Sequence, residues 1–171
     1  MLTNKKTLGF LLILFFSVLL NACLKPETFP IEPQIEFERV EQQDSLALFV
    51  ITFTDGDGNI GMTDEDTLNP PFNTSDKFHN NLFLEYLEED INGDWVSVQS
   101  PMGEPIAYQF RIPIITPDGK NKGLKGEIEV KLDAPYYNIS SHDTVKFKYA
   151  IQLFDRDLNA SNIVETTVLT K

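Results

Sequence analysis

The chain has 171 residues, with 26 Asp and Glu against 14 Lys and Arg and a formal charge of −12. That balance disfavours nucleic acid and anionic membrane surfaces as partners, because repulsion replaces counterion release. Thirteen Phe, five Tyr and one Trp supply ample core material, so this is a folding domain and not a disordered acidic tail.

The N-terminal segment reads as a targeting signal. Lys5 and Lys6 stand ahead of Leu8 to Leu20, an apolar run broken only by Gly9 and Ser17. The run is the length of a signal-peptide hydrophobic region and shorter than the roughly 20 residues of a membrane span. Leu20-Asn21-Ala22-Cys23 follows and resembles the bacterial lipobox, with Asn21 larger than the usual residue at its position. Cys23 is the sole cysteine, which leaves no disulfide to brace the fold. The resemblance implies that residues 1–22 are a lipoprotein signal peptide and that Cys23 carries a diacylglycerol thioether and an amide-linked acyl chain. Several acyl chains hold a protein stably on a bilayer where one does not. Leu24 stands where many Gram-negative lipoproteins kept in the inner membrane carry Asp, which implies the outer membrane and leaves open the periplasmic or surface side. An ordinary signal peptide cleaved near Ala22 is the alternative. Loss of residues 1–22, with Lys5 and Lys6, leaves 149 residues and a formal charge of −14.

Residues 23–34 hold Pro26, Pro30 and Pro33 and read as a Pro-rich tether. From residue 35 to 171 the apolar pattern has period two. Ile35 and Phe37 alternate with glutamates. Leu46 to Phe53 is a continuous apolar run, expected of a strand buried on both faces or at a sandwich centre. Leu82 to Leu87 is the next strand. Asn92-Gly93 signals a hairpin, with Trp95, Val96 and Val98 on the return strand. Tyr108, Phe110 and Ile112 alternate, as do Ile128, Val130 and Leu132. Val145, Phe147, Tyr149, Ile151 and Leu153 form the clearest alternation, and Ile163 to Leu169 closes the chain. No segment carries a capped helical pattern. About seven or eight short strands predict an all-β, antiparallel two-layer sandwich, a closed barrel being the other solution.

The run from Tyr149 through Asp155, Asp157 and Asn159 to Ser161 resembles the penultimate strand and following loop of bacterial immunoglobulin-like and fibronectin-III-like domains. With the lipobox and tether, the layout resembles small uncharacterised lipoproteins of the Bacteroidota. The resemblance implies an immunoglobulin-like β-sandwich over residues 35–171 and no particular activity.

One constellation carries chemistry. Asp55-Gly56-Asp57-Gly58-Asn59 and Asp155-Arg156-Asp157-Leu158-Asn159 each follow a strand with oxygen donors at i, i+2 and i+4. That is how a calcium loop curls around a hard cation. In an immunoglobulin-type order the two loops emerge at one end, together with Thr116 to Gly123. Asp55, Asp57, Asn59, Asp155, Asp157 and Asn159 are therefore the expected metal ligands, with Ca²⁺ as the only expected cofactor. Ordinary Asx turns are the competing reading, with Arg156, Lys120 and Lys122 neutralising the carboxylates. The first loop departs from an EF-hand: Gly61 falls at position seven, Asp66 at position twelve, and no helix flanks it.

No nucleophile–base pair is evident; His79 and His142 sit in no ligand or triad spacing, so an enzyme is not expected. Trp95, Tyr86, Tyr136 and Tyr137 could offer a sugar platform, or Trp95 and Tyr86 could pack across their hairpin. The Asp-Ser/Thr-aliphatic triplets at residues 44–46, 66–68 and 143–145 resemble a Bacteroidota O-glycosylation sequon, Thr67 being the most accessible acceptor. The expected function is a lipid-anchored structural or binding module of the cell envelope. Its partners are then the bilayer, through Cys23, and an unidentified envelope protein or glycan. A glycan-binding accessory lipoprotein of an outer-membrane uptake system is the alternative.

Overall fold

The computed structural model describes residues 27–43, 45–115, 122–133 and 146–170. Cys23, Tyr136, Tyr137, His142 and the 116–121 loop with Lys120 lie outside the described residues. The described chain is all-β apart from two short 3-10 turns, Glu65–Leu68 and Lys77–His79. Its nine strands are β1 (Gln34–Gln43), β2 (Leu46–Asp55), β3 (Leu82–Glu89), β4 (Trp95–Ser97), β5 (Ala107–Phe110), β6 (Leu124–Asp133), β7 (Lys146–Leu153), β8 (Val164–Glu165) and β9 (Leu169–Thr170). They form two antiparallel sheets. One runs β1-β2-β6; the other runs β4-β3-β7-β8, with β5 also on β3 and β9 also on β7.

Strand parity builds the core. Phe49, Ile51 and Phe53 of β2 point inward, as do Leu82, Leu84 and Tyr86 of β3 and Phe147, Tyr149, Ile151 and Leu153 of β7, all buried. Phe49 meets Tyr149 edge to face across the sheets, centroids 5.0 Å apart. Each such side chain contributes about 1.5–3 kcal/mol through burial. The apolar run of β2 marks the centre of its sheet and is not buried evenly: Leu48, Thr52 and Thr54 on the outer face are only half-buried. Val50 is the outer-face exception, covered between its neighbours Arg39 and Glu129.

Asn162 joins the sheets by imitating a strand partner. Its Nδ2 donates to the Ile35 carbonyl and its Oδ1 accepts from the Ile35 N–H, each at 2.9 Å.

Three expectations shift in detail. The Asn92-Gly93 turn is a wider loop than a two-residue hairpin. Asp90 accepts from the N–H groups of Asn92 and Asp94 at 2.8 Å, and Gly93 takes φ 86°. The closing strand is split into β8 and β9, because the buried Thr166 puts its hydroxyl where a backbone carbonyl would accept the Tyr149 N–H, at 3.1 Å. Tyr86 and Trp95 do not pack together. Trp95 pairs with Glu89 in the register, so it shares the outer face with Leu87 and Lys148, while Tyr86 lies in the core. The Lys148 ammonium sits 4.5 Å from the Trp95 ring centroid and also pairs with Glu165.

The described part of the tether is not a free spacer. Pro33 is buried, Phe29 is half-buried, and Glu27 pairs with Lys125 at 3.6 Å.

Candidate functional site

The inward parity of β2 runs Phe49, Ile51, Phe53 and then Asp55. That of β7 runs Tyr149, Ile151, Leu153 and, one residue past the strand, Asp155. The last inward position of each series is thus an aspartate, and both aspartates are 0% exposed. They face each other at one end of the core, one from each sheet. Single carboxylate oxygens of Asp55, Asp57 and Asp155 all lie within 4.8 Å of one another.

The two loops have the same backbone design. In the first, the Asn59 N–H donates to Asp55 Oδ2 at 2.9 Å; in the second, the Asn159 N–H donates to Asp155 Oδ1 at 2.8 Å. The fourth residue of each is left-handed, Gly58 at φ 73° and Leu158 at φ 65°. Glycine takes that conformation freely, whereas leucine does so at a cost. The Arg156 N–H donates to the Asn59 carbonyl at 3.3 Å and ties one loop to the other.

Their side chains are satisfied differently. The second loop closes on itself: Asn159 Nδ2 donates to Asp155 Oδ2 at 2.8 Å. In the first loop, Asn59 Nδ2 donates instead to Asp57 Oδ2 at 3.2 Å and across to Asp157 Oδ2 at 3.0 Å. With its amide hydrogens committed to two carboxylates, Asn59 has only its oxygen left to offer. Asp55 Oδ1, Asp57 Oδ1 and Asn59 Oδ1 are all buried and accept no hydrogen bond. Three donorless acceptors together are costly unless something positive binds them.

The titration of the site reflects this. Burial, opposed by the Asn59 N–H, pushes the Asp55 carboxyl up to about 6, with Asp57 and Asp155 adding to the rise. Burial also raises Asp155, and the donors on Asn159 hold it down. Arg156 does not neutralise the cluster; its Nη2 donates to Asp66 Oδ1 at 3.1 Å. Asp66 also accepts from the N–H and hydroxyl of Thr63, at 2.7 and 2.9 Å; desolvation raises its pKa, but the Thr63 donors and Arg156 together bring it below the ordinary value. Both oxygens of Asp66 are thus engaged by Thr63 and Arg156, and Asp66 stands outside the carboxylate cluster.

Of the six residues expected as ligands, Asp55, Asp57 and Asp155 bring carboxylate oxygens together, and Asn59, in the same loop as Asp55 and Asp57, adds a buried oxygen that accepts no hydrogen bond. Asp157 is exposed and orients the Asn59 amide, while Asn159 is an internal donor to Asp155. All four donors are oxygens, three of them from carboxylates, a set that suits a hard cation. The 4.8 Å limit on the three carboxylates fits the roughly 5 Å between opposite ligands on Ca²⁺ at 2.3–2.6 Å each.

No family model, curated protein or solved structure matches this chain.

Two supports of the site carry no motif. Asn81 is fully buried; its N–H donates to the Phe110 carbonyl, its carbonyl accepts from Phe154, and its Oδ1 accepts from the Ile112 N–H at 2.7 Å. It binds β3 to the chain on both sides at this end of the sandwich. Arg111 donates to the His79 and Thr63 carbonyls at 2.7 and 2.5 Å and pins the long 56–81 connection. His79 Nδ1 lies 3.2 Å from the Phe72 carbonyl, a structural contact.

Other expected positions are less open. Tyr86 is buried and Trp95 is covered by Lys148, so these two form no joint sugar platform. Ser45, in the first of the three Asp-Ser/Thr-aliphatic triplets, is exposed. The Thr67 hydroxyl, half-buried, donates to the Asp64 carbonyl at 2.5 Å.

Proposed function

We propose that the chain is a non-enzymatic, lipid-anchored module of the bacterial envelope, held on the outer membrane through Cys23. In this reading it is an immunoglobulin-like sandwich whose loop end is locked by one Ca²⁺ ion. A sheet of β1, β2 and β6 facing one built on β3 and β7 fits the division of strands in that class. Asp55, Asp57, Asn59 and Asp155 would hold the ion, and water would complete its six to eight ligands. The ion would supply positive charge where burial otherwise sets carboxylates against one another. The observation that carries the reading is the trio of buried oxygens without donors on Asp55, Asp57 and Asn59.

The test is calorimetric titration of the chain in nonionic detergent, where uptake should saturate at one Ca²⁺ per chain. Absence of uptake at millimolar Ca²⁺, the range of weak extracellular modules, would sink the proposal. The anchor has its own test in cells supplied with labelled palmitate. Cys23→Ala should lose the label and leave the membrane fraction; a variant that keeps both would refute lipidation at Cys23.

A further inference from the structure

The segment ahead of β1 lies across the proposed cation loop. An added Cβ on Gly56 would stand 2.4 Å from the Phe29 carbonyl oxygen and 2.5 Å from that of Pro30. A Cβ on Gly123 would stand 3.2 Å from the Phe29 ring and 3.6 Å from the Asp55 carbonyl oxygen. Neither glycine has a left-handed φ, so neither is required by a turn. Both are explained by close approach: two bare backbones make room for the strap of residues 29–33. Gly56 is moreover the residue between two proposed ligands, Asp55 and Asp57.

We infer that cation occupancy and the seating of the Phe29–Pro33 strap are coupled, so that the ion fixes how the domain is held by its N-terminal arm. The inference rests on the cation reading above. Asp55 is buried at a strand end and cannot retreat, and Asp155 is buried and hydrogen-bonded. Asp57 is the half-buried member, held only through Asn59. Without a cation, repulsion is relieved by moving Asp57, and Gly56 moves with it. The strap carbonyls pack too closely on Gly56 to ignore that movement. Under the lipid-anchored reading, Cys23 and Phe29 are separated by at most about 20 Å of chain, so the cation end faces the bilayer. Ca²⁺ would then determine whether the domain stands rigidly on its anchor or swings from it.

Coupling is reciprocal: whatever unseats the strap must weaken the ion. The full chain in detergent is titrated with Ca²⁺ alone, beside Phe29→Ala and Gly56→Ala. Each variant should bind at least about fivefold more weakly, the lower end of ordinary coupling. In parallel, 4-fluorophenylalanine at position 29 gives a ¹⁹F resonance that should move between EDTA and Ca²⁺. Equal affinity in both variants, or a resonance unchanged by Ca²⁺ in a chain that binds it, overturns the coupling and leaves the cation site standing. If the unaltered chain takes up no Ca²⁺, both readings fall together.

Discussion

In EDTA, the unfolding temperature of the domain should fall as pH rises from 4.5 to 7.5, and saturating Ca²⁺ should abolish that slope. The sign follows from Asp55. Its carboxyl titrates near 6 when folded and near 3.8 as an unperturbed group. Between those values the folded protein holds a proton that the unfolded chain has released, so stability declines with pH. The stabilisation is complete below about 3.8 and lost once pH passes about 6. From pH 4.5 to 7.5 the loss is about 2 kcal/mol, or roughly 6 °C for a domain of this size. Asp155, raised in the same direction, steepens the decline. A bound Ca²⁺ removes the proton from the folded state and with it the difference between folded and unfolded chains. At 100 times its Kd, Ca²⁺ adds about 2.7 kcal/mol at pH 7.5. At pH 4.5 it must first displace the proton, an affinity loss of about 30-fold that cuts the gain to roughly 0.8 kcal/mol. Scanning calorimetry at both pH values decides the matter. A Ca²⁺ shift that is equal at the two, or an EDTA curve that rises with pH, contradicts the role given to Asp55.

That role was only partly legible in the sequence. Period-two alternation located the main strands because burial on one face leaves a side-chain record, and β2, β3, β6 and β7 lie where Leu46, Leu82, Ile128 and Phe147 place them. The same alternation, carried past the apolar residues, places Asp55 two positions beyond Phe53 and Asp155 two beyond Leu153. Two inward-facing aspartates at the ends of buried strands were therefore readable, and with them the D-x-D-x-N repeat. What could not be read is the difference between the loops. Asn59 and Asn159 occupy equivalent positions, yet one amide turns outward to Asp57 and Asp157 and the other inward to Asp155. That choice depends on the cross-loop distance to Asp157, a tertiary quantity. Arg156 likewise stood, with Lys120 and Lys122, as a candidate to neutralise the carboxylates, because sequence spacing says nothing of Asp66, 90 residues away. The strap was hidden for another reason. Phe29, Pro30 and Pro33 have the composition of a linker, and only the glycines that Phe29 and Pro30 approach, Gly56 and Gly123, record the contact.

The largest effect of a single substitution should come from Asp55→Asn, which is expected to stabilise the domain in EDTA while destroying its response to Ca²⁺. The amide is nearly isosteric with the carboxylate. Its oxygen can continue to accept from the Asn59 N–H, as Asp55 Oδ2 does at 2.9 Å. Its nitrogen then stands at the Oδ1 position, where the native oxygen has no donor, and presents hydrogens instead of a lone pair toward a site where Asp57 and Asp155 place carboxylate oxygens within 4.8 Å of that of Asp55. A buried charge and an unsatisfied acceptor are replaced together by a neutral donor. The gain at pH 7.5 is bounded by the cost of ionising Asp55, about 3 kcal/mol for a rise from 3.8 to about 6, and should be roughly 1–3 kcal/mol. The decline of stability between pH 4.5 and 7.5 should shrink with it, leaving only the contribution of Asp155. Calcium affinity, by contrast, should fall below detection at millimolar ion, because one charged ligand becomes an NH₂ group aimed at the cation. Asp157→Asn separates this effect from a general loss of negative charge: that residue is exposed, touches Asn59 and not the proposed ion, and should weaken binding without stabilising the ion-free domain. If Asp55→Asn instead lowers the unfolding temperature in EDTA, the buried carboxylate is a structural hydrogen-bond acceptor that needs its charge. The paired loops are then Asx turns that cap the core without an ion.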